Sequence, residues 1–302
     1  MLRSTLLKLS QSKGFANWVT SNAKTRKMAR RFVAGEGLDE ALVASRVCND
    51  HGMMVSLDYL GENVSSAADA QHSRDAYLEV FEKIAEQKLN ANVSCKLTAL
   101  GLDLSPEFCE GLVLSIVERA AGTDNFLRVD MEGSEYTQRT IDLVKRVRSQ
   151  SPVIGTVIQA YLYRSERDIQ DLLTYGCRIR LCKGAYKESP EVAFEKKADV
   201  DGNYIRLIKL LLPSGFYHGI ATHDPKMIGA TIRCAAENKI SKEDFEFQML
   251  YGVRTDLQKR LVRDGYRVRV YIPYGNDWFP YFMRRLAERP ANVGFFIRNF
   301  FR

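Results

Sequence analysis

Short β-branched runs that end in glycine, proline or polar residues recur along the chain, and a stretch with helical spacing follows each. They are MVSLDYLG, NVSCKLTALG, FLRVDMEG, IGTVIQAY, RIRLCKGAY, GIATHDP, FEFQMLYG and YRVRVYIPYG. Amphipathic segments such as SRDAYLEVFEKIAEQKLN, SPEFCEGLVLSIVERAAG and DPKMIGATIRCAAENK lie between them. Eight strands alternating with helices over ~250 residues predict an α/β fold, a (β/α)8 barrel. An open doubly wound sheet is the competing arrangement, but the glycine-rich dinucleotide fingerprint it would carry is absent.

Within the strands the period is two. In FLRVDMEG, Leu127 and Val129 share one face and Arg128 and Asp130 the other; in NVSCKL, Val93, Cys95 and Leu97 oppose Ser94 and Lys96. The same alternation sets Ile179 and Leu181 against Arg178 and Arg180. It sets Phe245, Phe247 and Met249 against Glu246, Gln248 and Leu250, and Val268 and Val270 against Arg267, Arg269 and Tyr271. The outer face of a barrel strand packs on helices and must be apolar, so the polar set points inward. Ordinary barrel interiors are filled with branched aliphatic side chains, because an unpaired buried charge is costly. Here Lys96, Asp130, Gln159, Arg180, Gln248 and Tyr271 all fall near the C-terminal ends of different strands, where barrel enzymes build their sites. Either the interior surrounds a polar ligand, which six contributing strands favour, or these charges pair among themselves.

Composition adds less. A chain of 302 residues that is 45% hydrophobic can bury a large core, and no apolar run reaches the ~18 residues that a spanning helix needs. Of the net charge of +7, residues 1–31 supply eight Lys or Arg and no acid, which leaves about −1 for the remainder. That basic arm suits a cleaved targeting segment, a phosphate or lipid contact, or simply solvated helix faces. The expected division is therefore a basic helical arm over 1–45 and the barrel over 46–302. Six cysteines show neither CxxC nor zinc spacing and read as free thiols in a reducing compartment, and four histidines argue against a His-rich metal site.

The runs RVDMEG, RIRLCKGAY, ATHDP, FEFQMLYG and YIPYG...YFMRRLAE resemble those of the proline dehydrogenases, flavoenzymes that oxidise L-proline to Δ1-pyrroline-5-carboxylate. The resemblance extends from RRFVAGEGLDEAL, near residue 30, to RRLAERPANVGFF. It implies a distorted (β/α)8 barrel, with FAD and the proline site at the C-terminal face. Lys187, where many large bifunctional relatives have Trp, and the short interval from Tyr271 to Arg284 resemble the short monofunctional bacterial type. The chain has no room for a second dehydrogenase domain, so a separate pyrroline-5-carboxylate dehydrogenase is expected downstream.

The resemblance also implies roles. Arg284, Arg285 and Lys96 match the residues that bind the substrate carboxylate, as charge-assisted and bidentate donors can; Glu288 offers the arginines an alternative partner within one helix. Tyr186, Leu250 and Tyr271 match the walls of the proline ring. Asp130 matches an essential strand aspartate, expected to orient the site by pairing with a neighbouring cation such as Lys96. Arg180 matches a fixed charge beside the reactive edge of the flavin, where it would stabilise incoming electron density. Met131, Gln159, Lys183, Gly184, Ala185, Thr222, His223, Gln248 and Glu288 match further cofactor contacts, among which Gly184 would allow close backbone approach.

Two other classes compete. A Schiff-base aldolase on the same barrel would use Lys96 or Lys183 as its amine, which requires a lowered pKa in an apolar pocket. Nucleic-acid binding through the basic arm is opposed by the near-neutral core and the lack of a recognised module. By resemblance, electrons pass to a quinone, and the location is cytoplasmic with peripheral contact to the inner membrane. The cationic arm and the terminal run VGFFIRNFFR are the candidates for that contact.

Overall fold

A computed structural model describes Val19, Thr25 and residues 29–288, the side chains of 286–288 excepted. The terminal run VGFFIRNFFR and most of the basic arm lie outside the described residues. Eight parallel strands close into a barrel in sequential order: β1 (Met54–Tyr59), β2 (Ala91–Cys95), β3 (Leu127–Val129), β4 (Ile154–Gln159), β5 (Arg178–Cys182), β6 (His218–Ala221), β7 (Phe245–Leu250) and β8 (Arg267–Tyr274). Each matches one of the runs read from the sequence. Around them lie α1 (Leu38–Asp50), α2 (Ala67–Glu86), α3 (Pro106–Gly122), α4 (Ser134–Arg148), α5 (Ser165–Thr174), α6 (Lys197–Leu211), α7 (Pro225–Glu237), α8 (Thr255–Arg263) and α9 (Trp278–Glu288).

The helix starts follow from local chemistry. Ser66, Ser105 and Asp224 cap α2, α3 and α7 with side-chain oxygens, and proline occupies the first turn of the latter two, where its missing N–H costs nothing. Helix α2 begins ahead of the segment read as SRDAYLEVFEKIAEQKLN, because the Ser66 cap carries an extra turn that periodicity did not register. The structure has a helix at the boundary drawn at residue 45. The boundary falls inside α1, whose Ala41, Leu42 and Cys48 pack into the main core, so the helix goes with the barrel.

The outward strand residues Val93, Leu127, Val129, Ile179, Leu181, Phe247 and Val268 are fully buried beneath the helices, as the alternation required. A second, smaller core joins Val19, Ala29, Phe32 and Val33 to Trp278, Phe279, Phe282 and Met283 of α9. Backbone bonds stitch the same segment to the β8–α9 turn: Ala34 N–H donates to the Pro273 carbonyl (2.9 Å) and Gly275 N–H to that of Gly35 (3.0 Å). The chain preceding α1 thus fixes the pose of the helix that carries Arg284 and Arg285. All six cysteines are free, and no described helix is long and apolar enough to cross a membrane.

At the base of the barrel, His218 is fully buried and neutral. Its Nδ1 accepts from the Ile179 N–H (3.0 Å), which leaves Nε2 to carry the proton toward Ser214 Oγ (2.9 Å). Burial, reinforced by Arg128, pushes its pKa down to about 3. The unfolded chain takes up this proton near pH 6.5 while the folded one does not, so stability present above that pH is lost on acidification toward pH 3. Chemical denaturation across pH 7 to 3 should show His218→Asn losing less stability than the parent over this window, by on the order of 4 kcal/mol. Parallel pH slopes would rule out the assignment.

Candidate active site

The polar faces of the strands meet inside the barrel, and Arg180 is where they meet. Its Nη1 lies 2.6 Å from Asp130 Oδ1, Nη2 donates to Ser94 Oγ (3.0 Å) and Ser56 Oγ (3.4 Å), and Nε donates to Gln248 Oε1. The guanidinium also stands 5.2 Å from the centre of the Tyr271 ring, whose hydroxyl donates to Asp130 Oδ2 (2.7 Å). Residues of β1, β2, β5, β7 and β8 and the end of β3 can converge on one side chain only from within a closed barrel. Below them, Arg269 pairs with Glu246 (2.7 Å), which also accepts from Gln248 and from Tyr217. Gly219 leaves the space for Gln248: a Cβ there would lie 2.3 Å from its Nε2.

Lys96, Asp130, Arg180, Glu246 and Arg269 therefore each pair with another interior group, the alternative that the sequence left open, whereas Arg128 donates to the Thr156 carbonyl (2.9 Å). One expected pairing is corrected. Asp130 pairs with Arg180 rather than Lys96, and Lys96 Nζ lies 3.0 Å from both oxygens of Asp58, a wholly buried carboxylate. Burial works against the Lys96 ammonium, but Asp58, helped by Glu62 and Asp130, outweighs it and holds the pKa above the ordinary lysine value.

Above this network a cavity of about 810 Å³ opens at the C-terminal ends of the strands. The loops after β1, β3 and β5 and the start of α9 enclose it, with Glu62, Glu132, Ala185, Tyr186, Glu188 and Arg284 among its walls. Arg284 does not pair with Arg285. It forms a two-pronged ion pair with Glu62 (2.7 and 3.3 Å), largely shielded from solvent, while Arg285 lies over the Tyr281 ring at 5.1 Å. Burial alone would lower the Arg284 pKa, but Glu62, with Tyr186 nearby, raises it. The side chain of Glu288 lies outside the described residues.

Of the remaining expected residues Ala185 lines the cavity, while Met131, Gln159, Lys183, Gly184, Thr222 and His223 stand at or just past the C-terminal ends of β3 to β6 and are not part of its lining. Gln159 donates to the Glu132 carbonyl (2.8 Å), Met131 is buried beside Asp130, and His223 Nε2 accepts from the Leu250 N–H (2.9 Å). Thr222 Oγ1 accepts from the Asp224 N–H (3.1 Å). Lys183 is held between Asp201 and Asp224 (2.9 Å to the latter). Gly184 takes a φ of +113°, and a Cβ there would collide with the Tyr161 ring at 2.4 Å, so the close approach it allows is to the protein's own aromatic. Among the described residues, no group of acidic, histidine or cysteine side chains could hold a metal.

The sequence reading missed Asp58, Glu62, Glu132 and Glu188. The period-two alternation applied to β1 would have marked Ser56 and Asp58 as inward. Glu62, Glu132 and Glu188 sit on loops, where no periodicity exists to mark them. Glu132 is buried, accepts from Thr98 N–H (3.2 Å) and Oγ1 (2.7 Å), and has its pKa pushed up by burial to about 7.

Comparison with known proteins bears on this arrangement. The family model described as proline dehydrogenase matches residues 41–298. Proline dehydrogenase 2 of Bacillus subtilis is 44% identical over 97% of this chain and 96% of its own length, and the proline dehydrogenase of Deinococcus radiodurans is 39% identical over 91% of each. Among solved structures, proline utilization A from Bdellovibrio bacteriovorus superposes with a TM-score of 0.83 at 28% identity, over 90% of this chain and 33% of that one.

Asp58→Asn should leave the buried Lys96 charge without its counterion and cost roughly 3–5 kcal/mol in urea unfolding. The pair Asp58→Asn/Lys96→Met should recover most of that loss; if the single variant is as stable as the parent, the ion pair is not the source of order claimed for it. Glu132 gives a pH signature of opposite sense to His218. Its carboxyl keeps the proton while the unfolded chain releases it, so the stability this group contributes below about pH 4.5 disappears as pH rises through about 7. Glu132→Gln should accordingly gain about 3 kcal/mol on the parent between pH 4.5 and 8, and an unchanged difference across that range would refute the assignment.

Proposed function

The chain belongs to the proline dehydrogenase family and is an oxidoreductase for the first step of proline catabolism, and from that premise we propose that it oxidises L-proline to Δ1-pyrroline-5-carboxylate at this mouth, with FAD as the hydride acceptor and a quinone as the electron sink. The observation that carries the reading is that Arg284 and Tyr186 line one cavity, with the buried Asp130–Arg180–Tyr271 network inside the same barrel.

The residues present fit a flavin. Arg180 offers a planar charge fixed by partners on four sides, which suits a ring that gains electron density. Met131, Gln159, Gln248, Thr222, His223 and the Lys183–Ala185 turn would hold the remainder, with Glu288 beside them. Lys183 would trade one of its carboxylates for the pyrophosphate. Bound there, FAD supplies the acceptor for hydride leaving the carbon next to the proline nitrogen.

This chain's own groups would do the rest. The substrate carboxylate would sit among Lys96, Arg284 and Arg285, which requires Arg284 to exchange Glu62 for its new anion. Tyr186, Leu250 and Tyr271 would flank the ring and hold it in register for transfer. Both oxygens of Asp130 are engaged, by Arg180 and by Tyr271, so it acts as an orienting group and is poorly suited to accept the substrate proton. A Schiff-base chemistry fits less well. Asp58 keeps Lys96 charged, whereas an amine nucleophile must be neutral. A separate pyrroline-5-carboxylate dehydrogenase would take the product, and contact with the inner membrane would be peripheral, on a cytoplasmic protein.

The purified holoprotein should be yellow, bleach anaerobically on adding L-proline, and then reduce a soluble quinone but not NAD. A flavin spectrum indifferent to proline would end the proposal. Arg284→Met should weaken proline binding by roughly 2–4 kcal/mol with flavin content intact. Pyrrolidine, which lacks the carboxylate, should bind the parent poorly and lose little more on mutation. Equal losses for both ligands would make the arginine structural, serving only Glu62.

A further inference from the structure

Three successive loops at the mouth, those after β3, β4 and β5, are joined by one side chain. Glu188 Oε1 accepts from the Ser134 N–H (2.8 Å) and from the Tyr161 hydroxyl (3.1 Å), and its Oε2 accepts from the Ser134 hydroxyl. Ser134 opens α4, whose N-cap residue is Gly133 and so has no side chain to offer. Glu188 thus supplies, from a distant loop, the acceptor and the negative charge that the start of a helix favours.

The same carboxylate closes a clamp on its own loop. The Tyr161 ring packs against Gly184 so tightly that no Cβ fits, and Tyr161 N–H donates to the Lys183 carbonyl (2.9 Å). The loop is therefore fastened to Tyr161 at Lys183 and Gly184, and again at Glu188. Between those points Ala185 and Tyr186 line the cavity that Arg284 also lines.

We propose that Glu188 is a positioning residue for the reaction: by tying the β5 loop to α4 and Tyr161 it holds Tyr186 in place as a preformed wall of the substrate site. This rests on the assignment of Tyr186 to the proline ring, made above. It goes beyond helix capping, and the two roles separate experimentally because Gly133→Ser can restore a local cap to α4 without restraining the β5 loop.

The test uses the full-chain holoenzyme as Glu188→Ala, Glu188→Gln, and Glu188→Ala with Gly133→Ser. Glu188→Ala should raise KM for L-proline about tenfold or more while kcat changes far less. It should also speed amide hydrogen exchange across residues 183–188 by about tenfold or more. Glu188→Gln, which keeps one acceptor, should recover most of both. Adding Gly133→Ser to Glu188→Ala should restore Tm but neither KM nor the exchange protection. Recovery of KM along with Tm would overturn the proposal in favour of capping alone, as would unchanged exchange at 183–188 in Glu188→Ala. Hydrogen exchange is read without turnover, so a parent enzyme inert toward proline would defeat the functional reading while the exchange comparison still decides the clamp.

Discussion

A guanidinium buried at the centre of a protein must find partners for its charge and its donors, and Arg180 organises the barrel interior by that requirement. Five donors in a rigid plane demand acceptors in set directions. Asp130, Ser94, Ser56 and Gln248 supply them from different strands, and Tyr271 lies against the face. Because the contacts come from β1, β2, β7, β8 and the end of β3, the register of these strands against β5 is fixed by polar groups inside as well as by apolar packing outside. A slip of one residue would expose the oily face inward and strand the charge.

The mouth obeys a different rule. Its charged groups lie on loops and on the flanking helices, nearer to water, and they are held by pairwise ties: Glu62 to Arg284, Glu188 to Ser134 and Tyr161, Lys183 to two aspartates. A paired cation facing a cavity is in a position to exchange partners at modest cost, because one anion replaces another. A paired cation deep in the barrel is not. The fixed cation, Arg180, and the exchangeable one, Arg284, thus lie at different depths of one site, and the division follows from burial. The second core beneath α9 matters here, since Phe32 and Val33 set the helix from which Arg284 reaches Glu62.

The fold was legible in the sequence because a barrel strand has two chemically opposed faces. Recurring β-branched runs located every strand, and period-two alternation marked the inward residues of β2, β3, β5, β7 and β8, from Lys96 to Tyr271. The same signal stood in β1 at Ser56 and Asp58. Reading it there would have assigned Lys96 its counterion and freed Asp130 for Arg180. Helix starts were legible at α3 and α7, where a capping serine or aspartate precedes proline, and obscure at α2 and at α4, whose cap arrives from residue 188.

The sequence by itself determined the class of fold, the inward set of charges and, through ordered motifs, the family, since each depends on local periodicity or on residue types at fixed spacing. Only the tertiary structure decided which charge meets which. Glu62 and Arg284 are separated by 222 positions and Arg180 and Ser56 by 124; pairing at such range is set by barrel closure and by which carboxylate the strand stagger brings within reach. Nothing in the local sequence encodes that choice, because an ion pair depends on distance in space, and distance along the chain ceases to measure it once the sheet has closed.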